Sequence, residues 1–167
     1  MAEKNTQRRF AVMGMNTFKI ANKIMQNQNI CRLLKYQVRD PFDKEKYPDI
    51  DGAELINKQI LIVPKIYDDS TEKMSYITAI FDDFVVNQMN PEFKVSTVRF
   101  DIACPYDEWL LNDKSLRPYL IMQEIDTLFN ESKMAGIGTL QFWRADALTL
   151  SPWIGGYSMK YKINEFN

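Results

Sequence analysis

The first residues that could do chemistry are the carboxylate pairs Asp82-Asp83 and Asp68-Asp69. Paired carboxylates hold divalent metals or move protons. Neighbouring side chains in an extended strand point to opposite faces, so neither pair chelates alone. Solvated turn and edge positions account for both. A second pattern, Pro48-Asp49 followed by Glu92-Phe93-Lys94, spells the skeleton of many metal-dependent nucleases. In that chemistry Asp49 and Glu92 would hold Mg²⁺ from adjacent strands while Lys94 polarises the attacking water. Asp49, however, falls in a proline-bounded loop, and Glu92 follows the turn signal Asn90-Pro91. The nuclease is the alternative reading.

The chain contains no histidine. That removes the commonest general base, the usual activator of a nucleophile and the commonest zinc ligand together. The glycines at Gly136, Gly138, Gly155 and Gly156 lack the spacing of a phosphate-binding loop and read as turn residues. No catalytic residue, cofactor or metal is expected, and a non-enzyme is the main reading.

Aromatic residues are more informative. Tyr106, Trp109, Phe142, Trp143, Trp153 and Tyr157 fall mostly at expected strand ends or hairpin loops. Trp and Tyr anchor protein interfaces, where an apolar ring and a polar tip are both useful. Trp153, in SPWIGG, is the strongest candidate for exposure. With the apolar residues of the first helix, the expected interface set is Phe10, Met13, Phe18, Trp109, Trp153 and Tyr157.

These residues need elements to position them. Helical spacing of Phe10, Met13, Phe18, Ala21, Ile24, Met25, Cys31 and Leu34 predicts one long helix over residues 6–34. Its methionines suit exchangeable contacts, so part of it is expected to pack on a neighbouring subunit. The segment DPFDKEKYPDIDG is breaker chemistry and reads as a loop. Alternation then predicts strands at 60–67, 74–87 and 95–104, the first placed at an edge or bulge by Pro64, in a β-meander. Val98, Phe100, Ile102 and Cys104 share one face of the third. A second helix over 115–130 is capped by Ser115 and faces inward through Leu116, Leu120, Ile121, Ile125, Leu128 and Phe129. Strands at 139–150 and 156–163 close the chain, with Tyr157, Met159, Tyr161 and Ile163 inward and Ser158, Lys160 and Lys162 outward. The fold class is α+β, a mostly antiparallel sheet packed by helices, with a long N-terminal helix. Residues 1–40 form the helical arm and 41–167 a single α+β domain.

Length and charge agree with this layout. The 167 residues, 46% hydrophobic and 26% charged, make one ordinary globular domain with room for an arm. The 21 basic and 22 acidic residues nearly cancel, so nothing global favours nucleic acid or an anionic membrane. Cys31 and Cys104 are expected to be buried free thiols, suiting assembly in a reducing cytoplasm. No signal peptide and no membrane span are expected, since no apolar run reaches about 18 residues.

Four segments carry a resemblance: VRFDIACPYDEW, LRPYLIMQEIDTLFN, GIGTLQFWRADALTL and WIGGYSMKYKI. Over residues 58–163 they resemble the core of bacteriophage neck and tail-terminator (tail-to-head joining) proteins, through Arg117, Gly138, Leu140, Phe142, Gly156 and Tyr157. The long helix ahead of them departs from that pattern. The resemblance implies a virion structural protein, assembled in the host cytoplasm. It would form a ring, commonly a hexamer, that terminates the tail tube and joins it to the portal and connector proteins. Such a ring joins unlike faces of successive copies. Arg99, Arg117, Lys160 and Lys162 would then line a lumen passed by DNA. Another neck subunit, stopper or adaptor, is the nearest alternative, and a cellular binding module with a small-molecule pocket a more distant one.

Overall fold

The computed structural model describes residues 9–68, 70, 72–86 and 94–164. Three helices, α1 (Arg9–Met25), α2 (Gln28–Lys35) and α3 (Arg117–Phe129), pack with a six-stranded sheet. Its strands are β1 (Ile60–Leu61), β2 (Tyr76–Val86), β3 (Lys94–Pro105), β4 (Lys133–Met134), β5 (Gly138–Thr149) and β6 (Ile154–Asn164). The spatial order is β1-β2-β3-β6-β5-β4. Every pairing is antiparallel except β1 with β2. The fold is therefore α+β with a mixed, mostly antiparallel sheet.

The single long helix is not present. α1 stops at Met25 after 17 residues, and α2 begins again at Gln28. Between them Asn27 leaves the helical region (φ −89°, ψ 105°), and its side chain accepts the Ile30 N–H at 3.0 Å. This N-cap starts a new helix. The close approach of Gly52 fixes the break, because a Cβ there would lie 2.1 Å from the Met25 carbonyl oxygen. The apolar spacing runs on through the kink, since both helices bury the same side. Ile20, Ala21 and Ile24 of α1 and Ile30, Leu33 and Leu34 of α2 belong to one core with the sheet.

β3 supplies the centre of that core. Val98, Phe100, Ile102 and Cys104 are fully buried on one face, as their alternation requires. Phe100 stacks on Phe129 of α3 at 4.9 Å and meets Tyr161 of β6 edge-on at 5.7 Å. The Tyr161 hydroxyl donates to Asp126 at 2.8 Å, so this buried polar tip is satisfied. Both cysteines are buried free thiols. Burial pushes Cys31 up to about 11 and Cys104 up to about 12, so both stay protonated and unreactive.

Two more expectations are corrected. The apolar run at 60–67 gives only the two paired residues of β1, and these run parallel to β2, so the first three strands are not a meander. Beyond Leu61 the chain leaves the sheet through Pro64, with Val63 and Ile66 exposed. The second helix starts at Arg117, with no side-chain cap at Leu116. Ser115 instead turns its hydroxyl to Asp113 at 2.5 Å.

Candidate assembly surface

The residues expected at an interface separate to opposite ends of the sheet. At one end α1 docks on the turn before β5, where Asn16 donates to the Gly136 carbonyl and Lys19 to that of Ala135 (2.6 and 3.1 Å). Turned away from the buried Ile20, Ala21 and Ile24, α1 shows Val12, Met15 and Phe18 to solvent, while Met13 is half-buried. The Phe10 side chain lies outside the described residues.

At the other end stands an aromatic ridge. Tyr106 and Trp109 are 5.4 Å apart, Trp109 and Tyr157 6.3 Å, and Tyr157 and Tyr119 5.1 Å between ring centres. The Tyr119 and Tyr157 hydroxyls share a 2.7 Å hydrogen bond, and the Trp109 indole donates to the Cys104 carbonyl at 3.0 Å. The glycine pair in SPWIGGY makes room for it. A Cβ on Gly155 would fall 2.1 Å from the Tyr106 hydroxyl, and one on Gly156 only 1.9 Å from the Ile102 carbonyl oxygen. Trp153 is 52% exposed, beside the Lys73 ammonium at 4.8 Å.

The expected lumen residues divide as well. Arg99, Lys160 and Lys162 share the solvent-facing side of the sheet, opposite the helices. Arg99 pairs with Asp82 (2.8 Å) and Asp101 (3.1 Å), and Lys160 with Asp83 (2.8 Å) and Asp82 (3.3 Å). Burial pushes the Asp82 carboxyl up, but the Asp83 N–H, Lys160 and Arg99 outweigh it and hold Asp82 below its usual value. Lys162 lies over the Trp143 ring at 4.5 Å.

Arg117 is a correction. It is fully buried, and its guanidinium donates to the carbonyls of Glu108, Leu33, Tyr36 and Val38. A helix end leaves its last carbonyls unpaired, and here the fork of one arginine takes up those at the end of α2 while opening α3. It is a structural clamp and faces no lumen. Arg32 does the same for the charged loop, donating to the carbonyls of Tyr47 and Pro48 and to the Asp49 carboxylate. Asp49 is thus a loop residue paired to an arginine. Glu92 lies outside the described residues, as does the Lys94 side chain. No three His, Cys, Asp or Glu side chains gather as a metal site among the described residues.

Sequence reasoning missed the state of β5. Its residues 141–147 are all exposed, although one side of the strand is bonded to β6. On the other side β4 reaches only Gly138 and Thr139, and Asn130 caps the Phe142 N–H at 2.9 Å. The Leu150 N–H donates to the Ile154 carbonyl at 3.2 Å, which sets the hairpin's parity. Arg144, Asp146 and Leu148 therefore bond β6, and Ala145, Ala147 and Thr149 turn their N–H and C=O groups away from it. Among the described residues no strand pairs with that stretch. Phe142 and Trp143, each 43% exposed, sit at a bulge at its start.

A model of the YomW family matches residues 27–163, most of the chain. The chain belongs to the YomW family. The family is phage-derived, which makes this a phage-associated protein. The YomW match runs from the cap of α2 to the end of β6 and so includes the clamp Arg117, the aromatic ridge and the open strand. α1, with Val12, Met15 and Phe18, precedes the YomW region. No curated protein matches the chain. No helix among the described residues is long and apolar enough to cross a membrane.

Proposed function

We propose that this chain is a structural subunit of the phage head–tail junction, forming a ring that terminates the tail tube and joins it to the head connector. One observation carries the reading: two unlike apolar surfaces stand at opposite ends of the domain, one on α1 and one at the far end of the sheet. The stripe Val12, Met15 and Phe18 lies at one end, and the ridge from Tyr106 to Tyr119, with Trp153, at the other. A closed ring needs such a pair, because each copy offers one surface to the neighbour ahead and a different one to the neighbour behind. The phage family and the resemblance over 58–163 support the location in the virion. Function here is stoichiometric burial, with no turnover. The tail-tube and portal-side proteins are the further partners, and DNA passes through the centre.

Mass photometry of the full chain tests the ring. The expected result is a discrete oligomer, lost in a Met15→Asp/Phe18→Asp variant and in Trp153→Asp. A wild-type chain that stays monomeric at every concentration, alone and with tail tubes added, overturns it. Infection with a phage carrying an early stop in this gene should leave separate full heads and tails in the lysate. Intact virions in that lysate would remove the junction role even if rings form.

A further inference from the structure

We infer that the open edge of β5 is a self-complementary docking strand that pairs antiparallel with β5 of a second copy, about a two-fold axis at Ala145. Three observations fix the occupant and the register. Ala145 turns its backbone N–H and C=O away from β6, so two copies of Ala145 placed opposite each other exchange both hydrogen bonds. Its side chain is a methyl group, small enough for close approach at the axis. Arg144 and Asp146 flank it on the opposite side of the sheet, already in contact with each other at 2.6 Å. Antiparallel pairing about Ala145 sets Arg144 opposite the second copy's Asp146, and Asp146 opposite its Arg144. Four charges then alternate around the axis in non-hydrogen-bonded pairs, where side chains approach closest. Shifting the axis by one residue opposes like charges, Arg144 to Arg144 or Asp146 to Asp146, and turns the wrong backbone groups together. The register is thus specified by charge and by parity together.

This contact joins like edges, so it pairs protomers and does not itself propagate a ring. It is separate from the unlike-end contacts proposed above and uses different residues. Combined with a ring of identical head-to-tail contacts, a two-fold contact joins each copy to one in a second ring facing the first.

Charge exchange tests it with a built-in control for folding. In sedimentation velocity over a concentration series, Arg144→Asp and Asp146→Arg should each weaken pairing by on the order of tenfold or more, since the two-fold repeats every change. The double variant R144D/D146R should pair like wild type. Mixing the two single variants should restore pairing between them, because each supplies what the other lacks. Ala145→Cys should give a disulfide-linked dimer under mild oxidation, the two native thiols being buried. Single variants as associated as wild type, a mixture or double variant that fails to pair, or an unlinked Ala145→Cys chain would each overturn the inference. Variants at Phe18 or Trp153 read the ring and leave this result unchanged.

Discussion

The two edges of the sheet differ in how they treat an incoming strand. On the β2 side, β1 covers Ile77 and Thr78. Beyond them the register slips between Asp82 and Val85, and Asp83 takes a left-handed conformation (φ 51°) that bends the strand. Asp82 and Asp83 line the kink, held by Arg99 and Lys160. A short cover, a bulge and charges are the usual ways a protein stops an edge from recruiting a neighbour. The β5 side has its bulge at Phe142 and then runs regular to Thr149, with alanines outward and charges of opposite sign adjacent. Such an edge invites pairing. The same sheet is shut at one side and open at the other, which limits growth to a single contact and prevents an open-ended stack of sheets.

The core beneath both edges is shared, so the largest effect falls on both at once. Phe100→Ala removes a fully buried ring from between Phe129 and Tyr161. It should cost about 3–5 kcal/mol in urea denaturation, with association lost as the fold is lost. A variant that kept its stability would mean that the two edges are held by separate cores. Next is the bulge that shuts β2. Asp83→Val places a β-branched residue at positive φ, costing about 1–2 kcal/mol, whereas Asp83→Gly tolerates the same backbone. Equal melting temperatures for the two would show that the kink does not depend on this residue.

The charges at the kink give a smaller effect that depends on pH. Asp82 has its carboxyl held below the usual value in the folded chain. Its stabilising contribution is present above the ordinary carboxylate pKa and is lost as pH falls through the lowered folded value. The pairs are partly exposed, so Asp82→Asn should cost only about 0.2–1 kcal/mol near neutrality. That difference should vanish in strong acid. Denaturation of both chains across acid pH measures it, and a gap that widened on acidification would contradict the pairing.

How much of this was legible follows from where the determining contacts lie. β3 and β6 were readable because each has one buried face, and alternation at Val98, Phe100, Ile102 and Cys104 writes that burial into the local sequence. The inward face of α3 was readable for the same reason. The end of α1 was not, since apolar spacing continues past Asn27 and the approach of Gly52 comes from a distant loop. Arg117 looked like a surface cation. Only the fold brings the end of α2 around its guanidinium, and no local pattern marks an arginine whose three nitrogens all donate to backbone carbonyls. The open state of β5 was illegible because strand order is non-local. Its sequence reads the same whether a neighbour lies beside it or not.

The smallest effect on stability bears most directly on the two edges. Ala145→Lys adds one charge to an exposed side chain, a change expected to move folding stability by no more than about 0.5 kcal/mol. It gives β5 the defence that β2 already has, a charge on the edge. In the pair about Ala145 two ammonium groups would face each other at the axis, so association should fall while the melting temperature holds. Ala79 on β2, fully buried, has no such option. If Ala145→Lys associates as wild type does, the open edge is not where copies meet, and the contrast between the two sides of the sheet carries no role in assembly.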